Sequence, residues 1–179
     1  MPQIVSANFI AGQDGKYEPQ RTNQFALRVV PPGFGGSEDI LCRAVRAMPF
    51  PAIDIEPISI EFVNEVRFVA GRHKQSPIEI TLYDFLGEQS VEEMLWEWIK
   101  LVYNPTPGPD EGKIGLAKDY KVEEAELIKF DPGGNQERRW ILVNVWPCKW
   151  TPGKGDMATS DKMLMDVTFQ CDKFYRDSQ

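Results

Sequence analysis

Apolar and polar residues alternate with a period of two in two segments of the first half of the chain. In residues 58–62 the apolar side chains are separated by Ser59 and Glu61, and residues 78–83 repeat the pattern. Successive side chains of a β-strand point to opposite faces, so this period is typical of a strand with one buried face. The pattern predicts two strands, each of which packs one face into the core.

More strands are predicted by alternation or by a high content of strand-forming residues. The clearest is the last, in which Met, Val, Phe and Cys alternate with polar residues. The turn sequence Asp131–Asn135 predicts a hairpin between two others. The predicted strands and apolar runs are residues 24–30, 40–45, 121–130, 138–146 and 163–172.

One helix is predicted, over about residues 90–103. Ser90 and Glu93 have the spacing of a capping box, which satisfies backbone N–H groups in the first turn. The apolar positions that follow have helical spacing and define one buried stripe. Prolines from Pro105 onward end the helix. The stripe consists of Met94, Leu95, Trp98, Ile99 and Val102.

Two polar or proline-rich segments are predicted to lie outside the core. Residues 1–23 have the composition of an N-terminal arm. Residues 46–57 contain three prolines and are predicted to be an extended loop at a sheet edge or outside a sheet, because proline cannot donate to a central ladder. The glycine-rich residues 33–39 precede no helical pattern and are interpreted as a flexible loop.

The order of these elements predicts one mainly β domain over residues 1–179. Strands come first, followed by one helix, a hairpin and a final long strand, so the alternation expected of a parallel α/β sheet is missing. We expect an antiparallel β-sandwich or a partly open barrel, with one flanking α-helix at about 90–103 and extended arms and loops.

Charge and cysteine content exclude several classes of protein. The net charge is −7, with no basic stripe of the kind that nucleic-acid-binding proteins carry. The three cysteines, Cys42, Cys148 and Cys171, form no CxxC pair, which argues against a zinc site and a disulfide framework. No signal peptide and no membrane-spanning apolar stretch are predicted.

Candidate catalytic residues are sparse. The single histidine, His73, has polar neighbours and is predicted to lie in an exposed turn. Asp54, Glu56 and Glu61 are interpreted as solvated carboxylates, and Cys171 as a small core residue. The glycine-rich loop lacks the lysine of a phosphate-binding loop. The sequence therefore predicts no catalytic residues, no cofactor, no metal and no enzymatic activity.

Over about residues 20–176 the chain resembles the tail tube proteins of contractile-tailed bacteriophages, which are related to contractile bacteriocin and injection-system tubes. The resemblance is a series of segments in a fixed order and not one diagnostic motif. The segments are RTNQFALRVV, LCRAVRAMPFP, PIEITLYD, MLWEWIKLVYNP, VEEAELIKFDPGGNQERRWILVNVWPCKW and SDKMLMDVTFQCDKFY.

The resemblance implies a structural virion protein of the phage tail, assembled in the host bacterial cytoplasm. Six subunits would form a ring, and stacked rings would form a tube in which strands of neighbouring subunits build a continuous barrel. The implied partners are the chain itself, the tail sheath, and baseplate and tail terminator proteins, with no membrane. Genomic DNA would pass through an acidic lumen without specific binding. Two alternatives are the tube of a toxin-delivery system and a neck or baseplate adaptor ring.

The candidate inter-subunit contacts lie in the two segments outside the predicted core. In the family, the connection corresponding to residues 46–72 often mediates ring stacking. Phe50 is the favoured anchor, because a large apolar residue between two prolines has no obvious local core. The candidates are Phe9, Ile10, Phe50, Pro51, Ile53 and Ile55.

Overall fold

The protein is described here by a computed structural model covering residues 20–35, 38–85, 90–158 and 160–177. These ranges contain nine strands and three helices, so the fold is mainly β, as predicted. The elements are β1 (Phe25–Arg28), α1 (Glu38–Ala44), β2 (Val45–Ala47), β3 (Ile53–Phe62), β4 (Glu65–Gln75), β5 (Ile78–Tyr83), α2 (Val91–Val102), α3 (Ala117–Tyr120), β6 (Val122–Phe130), β7 (Gln136–Thr151), β8 (Leu164–Gln170) and β9 (Lys173–Asp177).

A seven-stranded antiparallel sheet curls around one long strand, β7. The first part of β7 pairs with β6 on one edge and β9 on the other, while its last part pairs with β8. We call the strands β1–β6–β7–β9 sheet A and the strands β7–β8–β5–β2 sheet B. Asn144, with a φ of 57°, and a register shift between Pro147 and Lys149 lie where β7 passes from one to the other. Such irregularities bend a strand, which lets the sheet curl.

The core lies between the inner faces of the two sheets and the buried side of α2. Trp98 of α2 is fully buried, and its ring centroid lies 5.4 Å from that of Phe169 in β8. Its indole N–H donates to the backbone oxygen of Tyr120 at 2.7 Å, so the one polar atom of the ring has a partner. Among the buried residues that the strands contribute are Leu27, Leu127, Leu142, Ile80, Leu82, Met165 and Val167.

Several predicted elements are confirmed. Helix α2 covers residues 91–102, and the hydroxyl of Ser90 accepts from the backbone N–H of Glu93 at 3.1 Å, as the capping pattern predicts. Strand β5 matches the predicted segment 78–83 residue for residue, with alternate side chains buried. The turn from Asp131 to Asn135 joins β6 to β7, and Cys171 is a buried core residue.

The prediction that residues 40–45 form an apolar run in a strand is wrong, because residues 38–44 form the helix α1. The interpretation of the glycine-rich segment as a loop with no helix after it is wrong for the same reason. Leu41 and Ala44 are buried three positions apart, so they share one face of a helix. Two buried positions among residues 40–44, the part of the helix whose burial the structure describes, are too few to reveal a helical period.

Strands β4 and β9 and the end of β7 were not predicted. His73 is exposed as expected, but it lies in β4 and not in a turn. The chain after Pro147 continues as strand to Thr151. Pro147 is tolerated there because β6 ends its pairing with β7 at Val145, so this edge of β7 has no described partner. Residues 173–177 form β9 against β7.

The predicted extended loop, 46–57, is divided by the structure. Residues 46–47 belong to β2, and residues 53–57 form the first half of β3. Only the residues between them connect the two strands. Residues 53–57 therefore lie in a strand and not in a loop. Strand β3 is an edge strand, because its sheet has only two members, so the extended conformation at a sheet edge that was predicted from the prolines is confirmed for Pro57.

Candidate functional site

The hairpin β3–β4 is the most prominent surface feature of the described residues. Its strands of 10 and 11 residues form a separate two-stranded sheet, paired from Ile53 with Gln75 to Phe62 with Glu65. Within the described ranges it pairs with no other strand. Every residue of β3 is exposed, so the hairpin projects from the core as a ribbon.

This ribbon carries most of the large apolar side chains that are exposed in the described part of the chain. Phe68, for example, is 69% exposed. A contiguous apolar surface of this kind is typical of an interaction site and not of a solvated hairpin. The exposed apolar residues of the ribbon are Ile53, Ile55, Ile58, Ile60, Phe62, Val63, Val66, Phe68 and Val69.

The strand register places these residues on both faces of the ribbon. Ile58 pairs with Val69, and Ile60 follows on the same face. Ile53, Ile55 and Phe68 lie on the opposite face, because side chains alternate along each strand. A two-stranded hairpin is only marginally stable alone in water, so a ribbon with two apolar faces needs a cover on each.

A bulge bends the ribbon near its base. The register shifts between Ile55 and Pro57, and β4 contributes the extra residue there. At Gly71 an added Cβ would lie 2.5 Å from the backbone oxygen of Glu56, so only glycine fits without displacing the backbone. The position of the ribbon relative to the core therefore depends on this glycine.

Some of the predicted contact residues lie on the exposed ribbon, and others pack on the core or are half-buried. Ile53 is 62% exposed, and it shares a ribbon face with Ile55. Phe50 does have a local core, contrary to the prediction: its ring centroid lies 5.3 Å from that of Trp140, and the ammonium of Lys129 lies 3.7 Å from the centroid of Phe50. Pro51 is half-buried. Phe9 and Ile10 lie outside the described residues.

Sequence reasoning missed the apolar residues of β4, above all Phe68. A signal was present, since Val66, Phe68 and Ala70 alternate with Glu65, Arg67 and Val69. The signal was weak because the positions between the apolar residues are a mixture of charged residues, Glu65 and Arg67, and an apolar residue, Val69. A buried strand would show a cleaner separation of its two faces.

Sheet A has two open edges. Strand β1 pairs only with β6, and β9 pairs only with β7, among the strands that the structure describes. All three junctions in the order β1–β6–β7–β9 are antiparallel. Such edges present unpaired N–H and C=O groups and are a template for pairing with another chain.

A row of four charges crosses sheet A on the face opposite the core. Arg28 of β1 lies 3.7 Å from Glu126 of β6. Glu126 also forms an ion pair with Arg139 of β7, which in turn lies 3.3 Å from Asp177 of β9. Each strand of the sheet contributes one charged side chain to this row, and the signs of the charges alternate from one edge of the sheet to the other.

No arrangement for catalysis is found among the described residues. They contain no group of three or more His, Cys, Asp or Glu side chains placed to hold a metal ion. Burial raises the pKa of the Cys148 and Cys171 thiols, so both are protonated at neutral pH and are poor nucleophiles. A cleft of about 580 Å³ beside β1 and β2 is lined by Phe25, Arg46 and Tyr83, among others.

Within the described part of the chain, no helix is long and apolar enough to cross a membrane. No protein-family model matches the chain, and no curated protein matches its sequence. Comparison with solved structures is more informative, because folds persist after sequence similarity is lost.

Three solved structures illustrate the likeness. A chain of the PVC extracellular contractile injection system, from its sheath/tube terminator in the extended state, has a TM-score of 0.62 at 13% identity, over 89% of this chain and 97% of that one. A chain of the anti-feeding prophage cap, which terminates the tube, has a TM-score of 0.63 at 14% identity, over 90% and 92%. The chain has the fold of contractile injection-system tube and terminator proteins.

The third is Hcp1 from E. coli EAEC 042, with a TM-score of 0.50 at 16% identity, over 84% of this chain and 88% of that one. These identities are low, so the likeness establishes the fold. The resemblance seen in the sequence is confirmed at that level, and the chain spans nearly the full length of each of these three neighbours.

Proposed function

We propose that this chain is a structural tube subunit, which assembles with copies of itself into rings that stack around a central channel. The observation that carries the proposal is the ribbon β3–β4, apolar on both faces and exposed along its length. Its burial requires other surfaces, and a fold shared with tube and terminator proteins points to copies of the same chain.

In this assembly the ribbon lies between two neighbours. One face, with Ile58 and Ile60, packs on one copy, and the other face, with Ile55 and Phe68, packs on a second. The contact is heterologous, since a ribbon meets a different surface of its neighbour, and such contacts generate rings or stacked tubes. Ile53 and Ile55 thus stay candidate contacts as part of the ribbon, with Phe9, Ile10, Phe50 and Pro51 as secondary candidates.

The open edges of sheet A supply the contact around the ring. Pairing β9 of one copy with β1 of the next removes both edges and builds one continuous barrel. The resemblance to phage tail tubes implies rings of six, a surrounding sheath, a terminator at one end and a place in the virion tail, with assembly in the host cytoplasm. Genomic DNA is the proposed cargo, and it passes without specific binding.

A terminator or adaptor ring is the second candidate, because two of the similar structures are a sheath/tube terminator and a tube-terminating cap. It differs from a tube subunit in one measurable respect. A terminator forms a single ring and does not stack into tubes of variable length, so the shape of the assembly separates the two functions.

The test is negative-stain electron microscopy of the purified protein over a concentration series. We expect hollow tubes of uniform width. Phe68→Asp should abolish them while leaving the thermal unfolding of the dispersed protein unchanged, because the side chain of Phe68 is 69% exposed. Met157→Asp is the matched control, since Met157 is exposed on the loop after β7 and should leave tubes intact.

Each result has a clear meaning. Single rings without stacks favour the terminator, and dispersed monomers at every concentration contradict self-assembly. Phe50→Asp is a less clean test than the sequence suggested. Because Phe50 packs on Trp140, that variant should destabilise the monomer as well as the assembly.

A further inference from the structure

The charged row on sheet A has a specific role in the ring. We propose that Arg28 of one copy and Asp177 of the next form an ion pair across the β1–β9 junction. This pair makes the row of alternating charges continuous around the ring. The inference rests on the proposed assembly and names the residues that join its copies.

The two ends of the row carry opposite charges. Arg28 stands on the β1 edge and Asp177 on the β9 edge, and the pairs between them run Arg28–Glu126, Glu126–Arg139 and Arg139–Asp177. A second copy placed beside the first would set a positive end against a negative end. Pairing two β1 edges, or two β9 edges, would instead oppose like charges, which is unfavourable across neighbouring strands.

Both end residues retain capacity for a further partner. The side chain of Arg28 is 57% exposed, and its only described partner is Glu126 at 3.7 Å. A guanidinium has five N–H donors, so most of them remain available. Asp177 receives Arg139 on one carboxylate oxygen, which leaves its other oxygen without a described partner.

The directions of the strands allow this junction. Because every neighbour in β1–β6–β7–β9 is antiparallel, β1 and β9 run in opposite directions. Rotation about a ring axis preserves strand direction, so β1 of the next copy lies antiparallel to β9. The same kind of ladder that joins strands within the chain then joins the copies, and the charges follow in the order plus, minus, plus, minus.

The row also bears on what the channel presents to its cargo. Its two basic and two acidic side chains cancel within each copy, so the chain's net charge of −7 arises elsewhere. If sheet A lines the channel, the wall carries a balanced band at this level. In that arrangement the acidic lumen that the resemblance implies would be interrupted at this row.

The test is a double-mutant cycle on assembly, measured as the concentration at which rings or tubes form. Arg28→Gln and Asp177→Asn should each raise it about fivefold, as expected for one partly exposed ion pair. Each change also removes an ion pair within the copy, Arg28–Glu126 or Arg139–Asp177, and those two losses are independent. The double variant should therefore raise the concentration by less than the product of the two single effects, because the pair between copies is lost only once. Lys113→Gln, which removes an exposed ion pair with Asp110 away from sheet A, is the control and should have no effect.

Cysteine cross-linking tests the geometry independently. A mixture of Arg28→Cys and Asp177→Cys proteins should give a disulfide-linked dimer under mild oxidation, and neither variant alone should do so beyond the level of the wild type with its three native cysteines. A dimer from either single variant alone would mean that like edges meet and would overturn the inference.

The outcomes separate the inference from the function that it extends. If the wild type forms tubes, but the effects of the two substitutions simply multiply, Arg28 and Asp177 do not interact and only the inference fails. If the wild type forms no assembly at any concentration, the proposed function fails and the inference fails with it.

Discussion

Strands β3 and β5 have nearly the same pattern of apolar and polar residues but opposite surroundings. In β5 the apolar face is in the core, and Leu82 is 0% exposed. In β3 the corresponding face is in solvent, and Ile60 is 42% exposed. The alternation therefore predicts a strand with an apolar face, but it contains no information about whether the cover comes from the same chain or from another.

One difference between the two strands is visible in the sequence. In β5 the apolar residues keep one phase throughout, whereas in β3 they change phase at Pro57, from Ile53 and Ile55 to Ile58 and Ile60. A change of phase places apolar residues on both faces. A strand at the surface of a single domain has a cover for only one face, so this pattern favours contact with more than one partner.

The largest contrast should come from equal truncations in the two strands. Leu82→Ala should lower the free energy of unfolding of the dispersed protein by about 2–5 kcal/mol, because it leaves a cavity in the core. Ile60→Ala should change it by less than about 0.5 kcal/mol, since the side chain lies on the exposed ribbon. Urea denaturation measures both. Equal losses would mean that the ribbon packs on its own core, which would contradict its exposure.

The bend of the ribbon can be broken separately from its apolar faces. Gly71→Ala places a methyl group against the backbone of Glu56 and should disfavour the bulge by about 1–3 kcal/mol. Amide hydrogen exchange in β3 and β4 should become faster, and tubes should form less readily. Gly155→Ala is the control, because nothing lies within 4 Å of the added methyl group. Unchanged exchange would show that the base of the ribbon tolerates a shift.

A smaller effect is expected at the start of α2. Ser90→Ala removes the side chain that accepts from the N–H of Glu93, and it should cost about 1 kcal/mol of unfolding free energy. Ser59→Ala removes an exposed hydroxyl on the ribbon and should cost almost nothing in the dispersed protein. Calorimetry on the two variants compares a serine that caps a core helix with a serine that is exposed on the ribbon.

The smallest effect concerns pH. Hydrogen bonds from Lys121 and then Asn144 lower the pKa of Asp172, which joins β8 to β9. A carboxyl group with a lowered folded pKa stabilises the fold above its unfolded pKa, about 3.9, and loses that contribution as the pH falls through the folded pKa. Stability should therefore fall slightly below about pH 4. Asp172→Asn should flatten this part of the profile, and an unchanged slope would assign it to other carboxyl groups.

The elements that could be predicted are those whose apolar positions are buried by other parts of the same chain, because burial then matches the sequence pattern. Strand β5, helix α2 and the β6–β7 hairpin are examples. Helix α1 is too short to show a period, and β4 and β9 have little or no buried surface to impose one. Of the predicted contact residues, Ile53 and Ile55 lie on the exposed ribbon and stay candidates, whereas Phe50 packs on Trp140.

Sheet A has four strands, an even number, so its two edge strands run in opposite directions and the junction between copies is antiparallel. An odd number would make every junction between copies parallel and would interrupt the ladder once per subunit. With four strands, the hydrogen-bond pattern is the same whether a ring holds few copies or many. The diameter of a closed barrel grows with its strand number, so the bore of the channel is set by how strongly each copy curves and not by the direction of its strands.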